Sequence, residues 1–352
     1  MFCFLTAVPE NINLNTKMMT LFKNLFAITA ITVFAVSCID NPGSSGSARS
    51  SSLPNITGTA GEILIVMDNI LWKSEGGNAL RAELEREYPA LPQPETLFDV
   101  IHITSGAFDE LFKMHRSIII VDVSSVHQEA VMSYSENVWA KPQIIVRFLA
   151  PDIESLQKLI TENKDRLVSN LQQYDRKRLA DVYRSSKDLS TKNILSKFRI
   201  DLAIPRGYNI DIDTPEFSSL SIESSQTSQV IFIYRYPFYD KNDFSTERLI
   251  EKRNEFLQKY TQGTRSGSYM TTARLFPPMT FDLKLNGREI VEIRGLWELN
   301  KGYMGGPFIS HSTLDSVSNQ IVTVEAYVYN PNNKKRSLMR QMEAIVYSLE
   351  VL

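Results

Sequence analysis

Apolar and polar positions along the chain change their period near residue 198, and the change divides the sequence into two kinds of structure. Upstream, Glu62-Ile-Leu-Ile-Val-Met-Asp68 and the runs at 98–104, 117–123 and 143–149 are short and rich in β-branched residues. Several are apolar at odd and even positions alike, as strands covered on both faces must be. Between them, Leu80, Leu84 and Tyr88 recur at i, i+4 and i+8. A stretch from 151 to 171 sets Ile153, Leu156, Leu159, Ile160, Leu167 and Leu171 near one helical face, then runs on through charged residues. The expected upstream half is α/β, a helix-flanked mixed or parallel sheet ending in a long helical connector.

Downstream, Phe198, Ile200, Leu202 and Ile204 alternate, Pro205-Arg206-Gly207 turns the chain, and Tyr208, Ile210 and Ile212 alternate again. That is the pattern of antiparallel strands with one dry face. Further strands are predicted over 230–236, 269–275, 281–285, 289–296 and 321–329, and a helix over 244–260. Asn286-Gly287 marks a hairpin turn, and Asn333 is the expected cap of a last helix carrying Leu338, Met342, Ile345 and Leu349. This half reads as α+β, an antiparallel sheet with packed helices.

Nothing before residue 61 has the pattern of a folded domain. The apolar run at 25–36, with Lys23 ahead of it, is shorter than the roughly 20 residues a bilayer span needs. It leads into Ala35-Val36-Ser37-Cys38, which resembles the lipobox of bacterial lipoproteins. Residues 1–37 therefore read as a secretory signal and Cys38 as the lipidated residue, with 1–17 an over-extended start because Met18 or Met19 gives a signal of ordinary length. Residues 38–60, rich in Gly, Ser and Pro, read as a flexible lipidated tether. The folded domains expected after it are 61–197 and 198–352.

Cys3 and Cys38 are the only cysteines, which removes disulfides, zinc–thiolate sites and cysteine nucleophiles from the expected mature fold. The net charge of −2 with both signs interspersed argues against nucleic acid as a partner. No His pair at i, i+4, no HExxH and no acidic cluster points to a metal, and no nucleotide fingerprint or P-loop points to a cofactor. Asp68 and Asp122 end strands where α/β sheets place ligands, and His102, His115 and His127 lie in the same half, where scattered structural histidines account for them. The loop 263–267, with Arg265, reads as a flexible turn. Ser310-His311 is an adjacent serine–histidine pair, and adjacency is not triad geometry.

The candidate binding residues lie between 288 and 308, where Arg294, Trp297, Tyr303 and Met304 surround Gly302, Gly305 and Gly306 in an expected loop. Large aromatics with arginine anchor recognition surfaces, and Arg294 and Trp297 are expected to address one groove edge. Tyr236 and Tyr239, flanking Pro237, are expected to line the same rim. In the opposing reading Trp297 plugs the end of the sheet and the aromatics cover the core; both stand at this point.

The order of elements over 198–352 resembles the PsbP and Ran-binding Mog1 sandwich, which implies binding or assembly more readily than catalysis. A second resemblance rests on Gly61–Asp68 with Leu71-Trp72, Leu91-Pro-Gln-Pro-Glu95, His115–Val121, Arg294-Gly-Leu-Trp-Glu298 and Met304-Gly-Gly-Pro-Phe308. Over residues 38–350 these blocks resemble an uncharacterised family of Bacteroidetes lipoproteins, a DUF4837-like domain of unknown function. The resemblance implies the cell envelope and a two-part layout, and carries no activity to transfer. The expected protein is a non-catalytic envelope lipoprotein, held to the membrane through Cys38, that binds a protein, glycan or lipid component. With only one acid in Ile39-Asp40-Asn41, an outer-membrane position facing the periplasm is expected. The alternative is an envelope-polymer hydrolase, which requires a cleft joining His115 or His311 to an acid and a hydroxyl.

Overall fold

The computed structural model describes residues 53–352; the signal segment, Cys38 and the tether as far as residue 52 lie outside the described residues. The first half comprises β1 (Glu62–Val66), α1 (Asn69–Trp72), α2 (Glu75–Leu84), β2 (Asp99–Ile103), α3 (Glu110–Lys113), β3 (Ser117–Val123), β4 (Val131–Glu136), β5 (Ile144–Ala150) and α4 (Ile153–Ser185). Its five-stranded sheet has the order β2-β1-β3-β5-β4, parallel except for β4. The apolar runs supply the parallel strands; β1, β3 and β5 are buried on both faces as their composition requires, whereas β2, at the sheet edge, buries none of its residues. Sequence patterning missed β4, because Val-Met-Ser-Tyr-Ser-Glu is an edge strand that buries only Met132. Asp152 starts α4 by accepting the Ser155 N–H at 2.7 Å. Its buried face runs from Leu156 and Ile160 to Leu171, then changes to Asp175 and Arg178.

The second half comprises α5 (Lys192–Lys197), β6 (Ile200–Asp201), β7 (Asn209–Asp213), β8 (Phe217–Glu223), β9 (Ser228–Pro237), α6 (Thr246–Tyr260), β10 (Met270–Thr272), β11 (Met279–Leu285), β12 (Arg288–Leu299), β13 (Gly305–Asp315), β14 (Gln320–Tyr329), α7 (Arg336–Val346) and β15 (Glu350–Val351). An eight-stranded antiparallel sheet runs β10-β12-β13-β14-β9-β8-β7, with β11 also beside β12; β6 pairs separately with β15. The β11–β12 turn is Asn286-Gly287, with φ of 50° and 79°, both positive as a two-residue hairpin of this type needs.

Three local expectations change. Phe198, Leu202 and Ile204 are buried, but only Ile200–Asp201 of that segment is strand, because the chain is enclosed there instead of laddered. Asn333 does not cap α7; Glu95, remote in sequence, accepts the Lys335 N–H at 2.6 Å and the Arg336 N–H at 3.2 Å. The glycines at 305 and 306 open β13 instead of turning a loop. One apolar core is continuous from β1, β3 and β5 through α4 and α7 to one face of β9, β13 and β14. A second lies on the opposite face of the large sheet, beneath α6.

Candidate functional site

The two-residue period of β11 puts Met279, Phe281, Leu283 and Leu285 on one face, and their register partners on β12 are Arg294, Glu292, Ile290 and Arg288. α7 packs over β13 and β14, whereas Met279 and Phe281 remain 44% and 38% exposed. Facing this hairpin is α4, with Gln172, Gln173, Arg176, Ala180 and Arg184 at helical spacing. Together they bound a cleft of about 880 Å³, with Arg86, Glu87 and Pro89 completing the lining and Glu292, Arg294 and Tyr347 at its base. That volume lies within the range of roughly 300–1,000 Å³ typical of small-molecule sites.

The base is a buried ion network. Arg294 donates to Glu292 at 2.7 Å and to Glu343, which also accepts the Tyr88 hydroxyl. His311 bonds Glu292 at 2.8 Å; a carboxylate only accepts, so the imidazole Nε2 carries the proton. Burial works against the charge on Arg294, but Glu343 and Glu292 beside it keep it firmly protonated. Burial likewise pushes Glu292 up, and Arg294 with the His311 bond outweighs it, holding the carboxyl below the usual range. Glu343 is also held low, by Arg294, Arg176, Tyr88 and Arg340 against its burial. Desolvation depresses His311, which is therefore neutral at pH 7.

A second group of charges adjoins the first. Asp175 pairs with Arg178 at 3.0 Å, Arg116 at 3.3 Å and Arg340 at 3.6 Å, and accepts the Gly61 N–H at 2.8 Å. Arg176, next on the helix, stacks its guanidinium 3.9 Å above the Tyr347 ring, and its nearest acid is Glu343 at 4.0 Å.

The structure separates the sequence-predicted residues. Arg294 and Trp297, three apart on one strand, lie on opposite faces, so they do not share a groove edge as expected. Arg294 belongs to the cleft base. Trp297 is 3% exposed in the core beneath α6, edge-on to Tyr327 at 5.1 Å. Gly306 is its cross-strand partner, and a Cβ there would lie 2.1 Å from the Val328 carbonyl oxygen and 3.0 Å from the indole nitrogen; glycine makes the room the indole occupies. Tyr303 is 96% exposed beside Met304, in the turn between β12 and β13. Tyr236 is buried and Tyr239 exposed, at the end of β9 that pairs with Gln320 and Ile321. That is the Asp315 end of β13, and the strand's length of roughly 30 Å separates these tyrosines from Tyr303 and Met304, so the two sets do not form one rim.

Sequence reasoning missed Arg176, Phe281 and Leu283 as cleft residues. The available signs were the apolar alternation of β11 and the arginines on the inward face of α4. The histidines lie elsewhere: His102 stacks on Trp72 at 4.3 Å, His115 accepts or donates only within its own turn and towards Glu62, and His127 bonds Asp122 at 2.9 Å. Among the described residues neither His115 nor His311 hydrogen-bonds a side-chain hydroxyl, and no group of three or more His, Cys, Asp or Glu is placed to hold a metal.

Residues 56–184 match the model of one domain of unknown function, DUF8532, and residues 187–348 match another, DUF4837. The family resemblance read over 38–350 thus divides between two models, and the junction falls at the end of α4. No curated protein matches. Among solved structures, the chain is similar to the Ran-binding protein Mog1p of Saccharomyces cerevisiae, at 10% identity and a TM-score of 0.30, covering 44% of this chain and 90% of that one. A mutant of the protein Mog1 is similar at 10% identity and a TM-score of 0.29, with the same coverage. LpqN of Mycobacterium tuberculosis, described as involved in cell envelope biogenesis, is similar at 11% identity and a TM-score of 0.27, covering 43% of this chain and 81% of that one.

Proposed function

We propose that this chain is a non-catalytic envelope lipoprotein that captures an envelope component in the cleft between α4 and the β11–β12 hairpin. The observation that carries this reading is the contrast between the base of the cleft and its walls. At the base, Arg294, Glu292 and Glu343 are already bonded to one another, and both carboxylates are held ionised, so neither is poised as a general acid. On the walls, exposed apolar side chains of β11 face basic side chains of α4, and such convergence of apolar surface with a few polar groups is what binding sites offer.

Photo-cross-linkers placed at Lys177 and Phe281 in cells test this, with Glu255 on α6 as the control. Adducts formed from the two cleft positions and not from the control are expected; equal yields from all three would refute a cleft-centred function. We place the anchor at Cys38; among the described residues no helix is long and apolar enough to cross a membrane. Cys38→Ser is expected to abolish incorporation of a labelled fatty acid and to release the chain from membranes. Orientation towards the periplasm predicts resistance to protease added to intact cells, and prompt degradation would refute it.

A further inference from the structure

Two features of the cleft narrow what it takes. The first is an uncovered apolar stripe. Met279, Phe281, Leu283 and Leu285 share a face, and six residue steps along a strand extend about 20 Å, the length of an extended long-chain acyl group.

The second is a surplus of positive charge. Six arginines and lysines line the cleft against three glutamates, in a chain whose net charge is −2. Beneath the lining, the connected ion pairs set Arg116, Arg176, Arg178, Arg294 and Arg340 against Asp175, Glu292 and Glu343, with His311 neutral. Five guanidiniums share three carboxylates, a surplus of two positive charges in a low-dielectric setting, where charges are ordinarily balanced. Buried Nε atoms of Arg116, Arg178 and Arg340 make no hydrogen bond. Arg176 is the member of this set that lines the cleft and makes no hydrogen bond among the described residues: its side chain is 15% exposed, held over Tyr347 by its π-face, with its nearest acid, Glu343, at 4.0 Å. A guanidinium fixed by stacking presents its fork ready for a planar or tetrahedral anion.

We infer that the cleft holds a single-chain anionic amphiphile, its carboxylate or phosphate head on Arg176 and its acyl chain along β11. This rests on the cleft being the binding site and names the class of component it takes. The basic wall supplies the charge complement to the head, and the β11 stripe the apolar complement to the chain.

Calorimetric titration of the full chain carrying Cys38→Ser, which keeps its own anchor out of the measurement, tests the inference with four probes: oleate, oleoyl lysophosphatidic acid, monoolein and inorganic phosphate. One or both anionic lipids are expected to bind one-to-one, and at least about tenfold more tightly than monoolein, the difference a charge-assisted bond makes. Phosphate alone is expected to show no measurable binding. Arg176→Gln should remove that tenfold preference while leaving monoolein unchanged, Arg176→Lys should retain most of it, and Phe281→Ser with Leu283→Ser should weaken all three lipids. Melting curves establish that each variant is folded. The inference is overturned if neither anionic lipid binds, if Arg176→Gln binds them as wild type does, or if phosphate binds as tightly as the lysophospholipid. Cleft cross-links in cells that carry protein and no lipid would also overturn it while leaving the cleft as the functional site; absence of cleft cross-links would remove both readings.

Discussion

Replacing Arg294 by methionine keeps the length of the side chain and removes its charge from the base of the cleft. The two carboxylates it serves are then left in different positions. Glu343 keeps the Tyr88 hydroxyl and Arg176 at 4.0 Å, with Arg340 also acting on it. Glu292 keeps only His311, which is neutral. The penalty for a buried carboxylate without its counter-ion falls on Glu292, and breaking such a pair costs about 3–5 kcal/mol. At roughly 2–4 °C per kcal/mol, the slope for domains of about 150–250 residues, the melting temperature at pH 7 should drop by roughly 6–20 °C. The pH dependence carries the sharper signature. In the wild type Glu292 is held below its unfolded value, so its contribution is present above about pH 4.3 and is lost as the pH falls through the folded value. Without Arg294, burial dominates and raises the folded value above the unfolded one; the protonated acid is then the favoured form, and stability is lost as the pH rises through that value. Between pH 7 and pH 5 both proteins lose the contribution of His115 and His311, which burial holds below the unfolded imidazole value, so the variant should gain stability relative to the wild type over that range, and Arg294→Met with Glu292→Gln should recover most of the loss at pH 7. Urea denaturation across that range is the assay. A loss below about 1 kcal/mol at pH 7, or a pH profile parallel to wild type, would show that the network does not hold these charges as described.

Trp297→Ala removes a fully enclosed indole, and should cost about 3–5 kcal/mol in chemical denaturation; a variant that melts like wild type would return Trp297 to the surface. Tyr303→Ala touches an almost fully exposed side chain, with the Arg265 guanidinium 5.7 Å from its ring, and should leave stability within about 0.5 kcal/mol, so any effect on capture of a partner would be a direct one. Gly306→Ala drives a methyl into the Val328 carbonyl and the indole, with an expected loss of about 1–3 kcal/mol; relief of that loss in a Trp297→Ala background would show the two residues share one space. Arg253 donates to Glu325 at 2.7 and 2.8 Å inside the second core, so Arg253→Met should destabilise by about 3–5 kcal/mol while Arg253→Met with Glu325→Leu comes close to wild type; equal losses in both would contradict the pairing.

The fold was legible wherever burial alone selects residues. β1, β3 and β5 are apolar on both faces because α4 covers one and Phe108, Phe112 and Trp139 the other, and the hairpin at Asn286-Gly287 requires the two positive φ values those residues tolerate. Legibility failed where a residue's role is set by something remote in sequence. Glu95 caps α7 across the molecule, and no local pattern marks it. Gly305 and Gly306 look like loop glycines until a Cβ at either is seen to run into neighbouring backbone, the Trp297 carbonyl at 2.8 Å and the Val328 carbonyl at 2.1 Å, and the polar edge strand β4 needs only one buried methionine. The candidate site failed for a related reason. Aromatics and an arginine clustered in sequence suggested one surface, but a strand sends residues three apart to opposite faces, and the buried ones serve the core and the ion network. What lines the cleft comes from α4 and β11, more than ninety residues apart, and is defined by the absence of a covering helix, which only the assembled sheet reveals.

That uncovered position follows from how the two sheets meet. Asp175 of α4 accepts the Gly61 N–H at the start of β1, Arg340 of α7 reaches both Asp175 and the Leu97 carbonyl before β2, and Glu95 holds the amino end of α7. The seam is thus fastened by directional polar contacts where α4 turns from an apolar to a charged inner face. Apolar side chains in place of Asp175, Arg178 and Arg340 can be equally stable, but carry no directional contacts to select one register of α7 against α4. Fixed donors and acceptors admit one, and that register sets Arg176 over Tyr347 and leaves β11 without a helix above it. The same residues that close the seam therefore fix where Arg176 stands, beside Arg86, Lys177, Arg184 and Lys284 on the lining of the cleft.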